Sequence, residues 1–88
     1  MKTLNDLKRR LKPGTVFSCD HHARARISGP RTVIEQRGNS VCYSFDSDGP
    51  MIGWTQFPAD DRLQFTGDDQ VTFLDERGRP LFTYTVPE

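Results

Sequence analysis

Hydrophobic positions change period along this chain. Leu4, Leu7 and Leu11 stand at i, i+3 and i+7, one face of a 3.6-residue repeat, which predicts a helix over about residues 3–12. Thr3 is placed to cap its first turn, with Asp6 three residues on, where a carboxylate favours the positive helix end. Lys8, Arg9, Arg10 and Lys12 crowd the other end, and Pro13-Gly14 stops the helix. So short a helix is marginal alone, so its leucines must dock on something.

Beyond Gly14 the pattern turns to short β-rich runs between turn formers. The runs are residues 15–20, 24–28, 31–37, 40–46, 51–57, 70–75 and 81–86. The clearest is 40–46, where Val41, Tyr43 and Phe45 point one way and Cys42, Ser44 and Asp46 the other. Turns are expected at His21–Ala23, Gly29-Pro30, Gly38-Asn39, 47–50, 66–69 and 77–80, and one helical or 3₁₀ turn at 58–61. Gly53 inside a strand suggests a bulge or bend. One helix followed by these runs, five or six of them as short strands, predicts a mainly β single domain over residues 1–88. Its strands, about 15–87, would close into a small SH3-like barrel with the helix at one end, since closure removes edges. An OB-like barrel fits less well, because its usual helix lies between strands.

Composition sets limits on this picture. Leu, Ile, Val and Phe make up 20 of the 88 residues, enough for one thin core and not for a deep substrate cavity. No apolar run approaches a membrane span or a signal peptide, so the expected compartment is the cytoplasm. Cys19 and Cys42 are expected reduced and buried.

Charge adds an asymmetry that the zero net charge conceals. Up to Val41 there are nine basic residues against three acidic ones; from Cys42 onward the proportions reverse. Lys8, Arg9, Arg10, Lys12, Arg24, Arg26 and Arg31, with Arg37, could form a phosphate-binding surface if the fold gathers them. Trp54, with Tyr43, Phe45 and Phe57, could add a stacking platform, although core filling is the simpler role for most of these aromatics. Asp60, Asp61, Asp68 and Asp69, followed by Asp75-Glu76, could imitate a phosphate backbone or serve as ordinary turn residues.

Catalytic and metal chemistry has little to build on. Cys19, His21, His22 and Cys42 are zinc-ligand types, but neighbouring histidines diverge in an extended chain and no Cys-x₂-Cys or His-x₃-His pair occurs. A Cys19–His21 nucleophile pair would lack an orienting third group. Phosphate-loop, dinucleotide, His-Glu-x-x-His and Gly-x-Ser-x-Gly motifs are all missing from the sequence. The expectation is a protein that is not an enzyme and takes no cofactor or metal.

Thr3-Leu4, Leu7-Lys8-Arg9, Leu11 and Pro13-Gly14-Thr15, then Trp54, Phe57-Pro58, Leu63-Gln64-Phe65 and a final hairpin, form an ordered set. In this order the chain resembles a diffuse group of small β-rich proteins of phages and mobile elements. The resemblance implies a phage or plasmid setting, in which an anti-CRISPR-like inhibitor of host defence needs a surface rather than an active site. It carries over no binding residue. The leading expectation is a binding module for a larger host protein or nucleoprotein. The alternative is a small barrel that binds RNA or DNA through its basic helix and strand arginines.

Overall fold

The computed structural model describes residues 1–23, 28–45 and 51–87. Most of the expected strand at 24–28, together with Arg24 and Arg26, lies outside the described residues, as do Asp46 and the expected turn at 47–50. A helix α1 (Leu4–Arg10) precedes seven strands: β1 (Val16–His21), β2 (Gly29–Arg37), β3 (Ser40–Phe45), β4 (Ile52–Gln56), β5 (Leu63–Phe65), β6 (Gln70–Leu74) and β7 (Pro80–Thr85). A 3₁₀ turn over Asp60–Arg62 lies between β4 and β5, two residues later than its sequence signal.

The helix begins as its sequence dictates. The Thr3 hydroxyl accepts from the Asp6 backbone N–H, and the Asp6 carboxylate accepts from the backbone N–H groups of Lys2 and Thr3, a complete capping box. The Lys2 bond above all, helped by that of Thr3 and the charge of Arg9, holds the Asp6 carboxyl below its ordinary pKa, although burial opposes it. Leu7 and Leu11 are fully buried, and the Gln36 side-chain amide on β2 donates to the carbonyls of Lys8 and Leu11 at the helix end. The helix is thereby docked on the sheet through apolar contact and satisfied carbonyls together.

All seven strands belong to one antiparallel sheet with the order β4-β3-β2-β1-β7-β6-β5. The sequence pattern implied five or six strands closed into a barrel; among the described residues the ladder has seven and is open, with β4 and β5 as its edges. The sheet is nevertheless strongly curled. If flat, its edges would lie about 29 Å apart. The seven steps from Gln56 to Leu63 span at most about 25 Å fully extended, and a 3₁₀ turn shortens them further. Across the curl, Thr55 Oγ1 on β4 lies 2.8 Å from the Tyr84 hydroxyl on β7 and 3.0 Å from that of Tyr43 on β3.

The concave side holds the core: Leu7, Leu11, Phe17, Cys19, Val33, Val41, Tyr43, Phe57, Leu63, Val71, Phe73, Tyr84 and Val86. Phe17, Tyr43, Phe73, Phe82 and Tyr84 pack ring on ring with centroids 4.6–5.8 Å apart, so aromatics fill the space that few aliphatic residues are available to fill. The alternation of β3 appears as expected, with Val41 and Tyr43 buried inward and Phe45 packed at the core's margin.

Three local features differ from the sequence reading. Gly53 makes no bulge, since β3 and β4 pair in unbroken register through it. A Cβ there would lie 2.9 Å from ring carbons of both Phe45 and Tyr43, so the glycine permits ring-on-backbone packing. The β2–β3 irregularity falls instead between Val33 and Glu35, which places Ile34 and Glu35 opposite Cys42. Gly29-Pro30 does not break the chain but opens β2, with Pro30 opposite Ser18. The Val33 N–H donates to Thr15, so hydrogen-bonded pairs with β1 fall at Arg31 and Gly29. The missing N–H of Pro30 therefore costs the β1–β2 ladder nothing.

Candidate functional site

The structure uses much of the basic cluster internally. Arg10 Nη1 lies 2.7 Å from Asp69 and also donates to the Val86 carbonyl. Lys8 donates to the Asn39 side chain and sits over the Phe57 ring. Arg9 pairs with Asp6 but stays largely exposed, and Lys12 is exposed. Arg9, Arg10 and Lys12 line an open groove of about 510 Å³ beside Thr15, Val16 and Pro87.

Arg31, expected on that basic surface, is 3 % exposed. Its guanidinium lies 4.6 Å from the ring centroids of both Tyr43 and Phe45, and Nη1 reaches the Tyr84 hydroxyl at 3.5 Å. Inward side chains of β3 and β7 enclose it, with the guanidinium set against their π-faces. Arg31 is part of the core and is not available to a phosphate.

The acidic residues are divided in the same way. Asp60 accepts from the backbone N–H of Leu4, Asp69 pairs with Arg10, and the terminal amine of Met1 donates to the Asp68 carbonyl. Asp61 and Asp68 are exposed. The basic start of the chain and the acidic turns thus meet at one end of the sheet, where they offset each other locally.

Cys19 and Cys42 are both free and buried. Cys19 belongs to the concave core, whereas Cys42 pairs with Trp54 and Glu35 on the convex face. They lie on opposite sides of the sheet and cannot share a ligand set with His21 and His22. His21 stacks on Phe82, and the His22 ring meets the Thr83 hydroxyl at 3.0 Å. Among the described residues no group of three or more His, Cys, Asp or Glu is placed to hold a metal. Burial pushes the Cys19 thiol up, against the lowering charge of Arg31, so it is held as the neutral thiol.

The most distinctive surface lies at the open seam of the sheet. Trp54, Thr55, Gln56 and Pro58 form one wall, and Phe73, Leu74, Leu81 and Phe82 the other, around a groove of about 310 Å³ with Arg62 at its border. Ile52, Trp54 and Leu81 are 57 %, 48 % and 40 % exposed. Ile34 on β2 and Val16 on β1 are exposed as well, while Arg37 lies 5.9 Å above the Trp54 ring.

The phase of the β3–β4 ladder sets what the seam offers. The Phe57 N–H donates to Asn39, and the Phe45 N–H to Met51. Hydrogen-bonded pairs alternate in an antiparallel ladder, so Thr55 and Gly53 also face β3. The N–H and C=O groups of Ile52, Trp54 and Gln56 therefore point outward along the edge. Among the described residues no strand pairs with them. The strand Ile-Gly-Trp-Thr-Gln carries no charge and no proline, the devices that ordinarily guard an edge.

Trp54 was legible as a candidate, but Ile52, Leu81 and Phe82 were not. Sequence spacing cannot bring residues 52–56 beside 73–82; only the curl does. The one available signal was the uncharged run at 52–56. No family model matches the chain, and neither a curated protein nor a solved structure matches it.

Proposed function

We propose that this domain is a non-enzymatic binding module that docks a larger host protein or nucleoprotein, as a phage or mobile-element inhibitor of host defence would. The observation that carries the reading is the seam: an apolar groove beside an unguarded strand edge, with the only tryptophan half exposed at its rim. A thinly cored domain that leaves Ile52, Trp54 and Leu81 in water has apolar area to gain by association. The second reading, RNA or DNA binding, rests on the groove lined by Arg9, Arg10 and Lys12. It is weakened by the engagement of Arg10 with Asp69 and by the burial of Arg31.

Immobilised wild-type domain, exposed to bacterial lysate with and without nuclease, separates the two. The docking reading predicts a defined protein that survives nuclease treatment and is lost with Trp54→Ala and Leu81→Ser. Nucleic acid retained by wild type, lost with Arg9→Glu/Lys12→Glu, and unaccompanied by any protein would replace it with the second reading.

A further inference from the structure

We infer that the partner is taken up as an added strand: an extended peptide segment pairs its backbone with the free edge of β4, sets apolar side chains into the seam and presents a carboxylate to Arg62. The inference rests on the docking reading and specifies its mode. Three observations carry it. The outward N–H and C=O groups of Ile52, Trp54 and Gln56 form a ready pairing template, five residues long and without a guarding charge or proline. The groove beside that edge is lined by Leu81 and Phe82, apolar surface for side chains that leave an added strand on its inner face. The charged residue that borders the groove is Arg62, exposed and with no carboxylate within ion-pairing distance among the described residues.

Charge selects among the possible occupants. A second copy of this chain, pairing β4 with β4, would bring only Ile52, Gly53, Trp54, Thr55 and Gln56 to the seam and no group to answer Arg62. A basic segment would be repelled by Arg62 and by Arg37 above Trp54. An extended segment with alternating apolar residues and one Asp or Glu satisfies both the backbone and the arginine. A strand-added peptide draws affinity from main-chain bonds and specificity from alternate side chains.

The test uses synthetic heptapeptides with valine at alternate positions and a single Asp, a single Lys, or a central proline in an otherwise Asp-bearing peptide. Trp54, the sole tryptophan, gives a direct fluorescence readout, and amide exchange followed by NMR gives a second. The Asp peptide should bind, shift Trp54 emission and slow exchange at Ile52, Trp54 and Gln56. The Lys peptide should bind about fivefold more weakly, the scale of one exposed charge contact, and Arg62→Glu should reverse that preference. The proline peptide should fail to protect the edge amides. Equal binding of the three peptides, or binding without amide protection, would overturn strand addition. If the lysate partner were still lost with Trp54→Ala, the docking reading would survive that failure. A concentration-dependent dimer with the same amides protected in the absence of peptide would overturn the inference in favour of a second copy.

Discussion

Gly53 and Arg31 show how a single position can take its meaning from distant strands. Neither role was legible in sequence, because the rings that define them come from β3, joined at Arg31 by Tyr84 of β7. Gly53 reads locally as a strand breaker, yet it is the flat surface on which Tyr43 and Phe45 pack. Arg31 reads as one more cation in a basic half, yet Tyr43 and Phe45 flank its guanidinium within the fold. Gly53→Ala should destabilise the domain by about 1–3 kcal/mol, the usual cost of overpacking a closed site. Thermal unfolding checks this against Gly38→Ala, where a Cβ meets open space and only the positive φ is strained. No measurable loss from Gly53→Ala, whatever Gly38→Ala costs through its backbone, would show that Tyr43 and Phe45 do not define the space at Gly53.

The elements divide by how local their determinants are. Helix α1 was legible because its leucine face, its cap and its stop all lie within a dozen residues, and β3 because its alternation is unbroken. Strand β5 was missed: three residues with Leu63 and Phe65 on one face are too few to display a period, and pairing with β6 makes it a strand. The helix also carries an acid-sensitive element. The Asp6 carboxyl is held below its ordinary value of 3.8, so its contribution is complete above that value and is lost as pH falls through the lower folded value. Urea unfolding should therefore show Asp6→Asn less stable than wild type at about pH 6, with the gap narrowing toward about pH 2.5. A gap that stays constant across that window would place the Asp6 contribution outside its charge.

At the scale of the whole molecule, strand order decides where the proposed docking surface lies. The β1–β7 pairing joins residues 61 to 67 positions apart, and no periodicity in the sequence encodes it. That pairing merges the β1–β4 meander with β5–β7 into one sheet and leaves β4 at an edge. The curl then brings this edge beside Leu81 and Phe82. It also brings the two charge-biased halves into contact, through Arg10 with Asp69 and Leu4 with Asp60, so among the described residues the separation along the chain does not persist as two opposed faces. The mainly β class was legible from turn spacing, but the open seam was not, because its walls come from opposite ends of the sheet.

The central claim is that the β4 edge stands open in the free domain. Amide hydrogen exchange at each β4 residue tests it most directly. The ladder phase predicts an alternation, with slow exchange at Gly53 and Thr55, which donate to β3, and fast exchange at Ile52, Trp54 and Gln56, which face outward. Protection of Trp54 equal to that of Thr55 in the monomeric, peptide-free domain would mean that the edge is already covered, and would contradict the account.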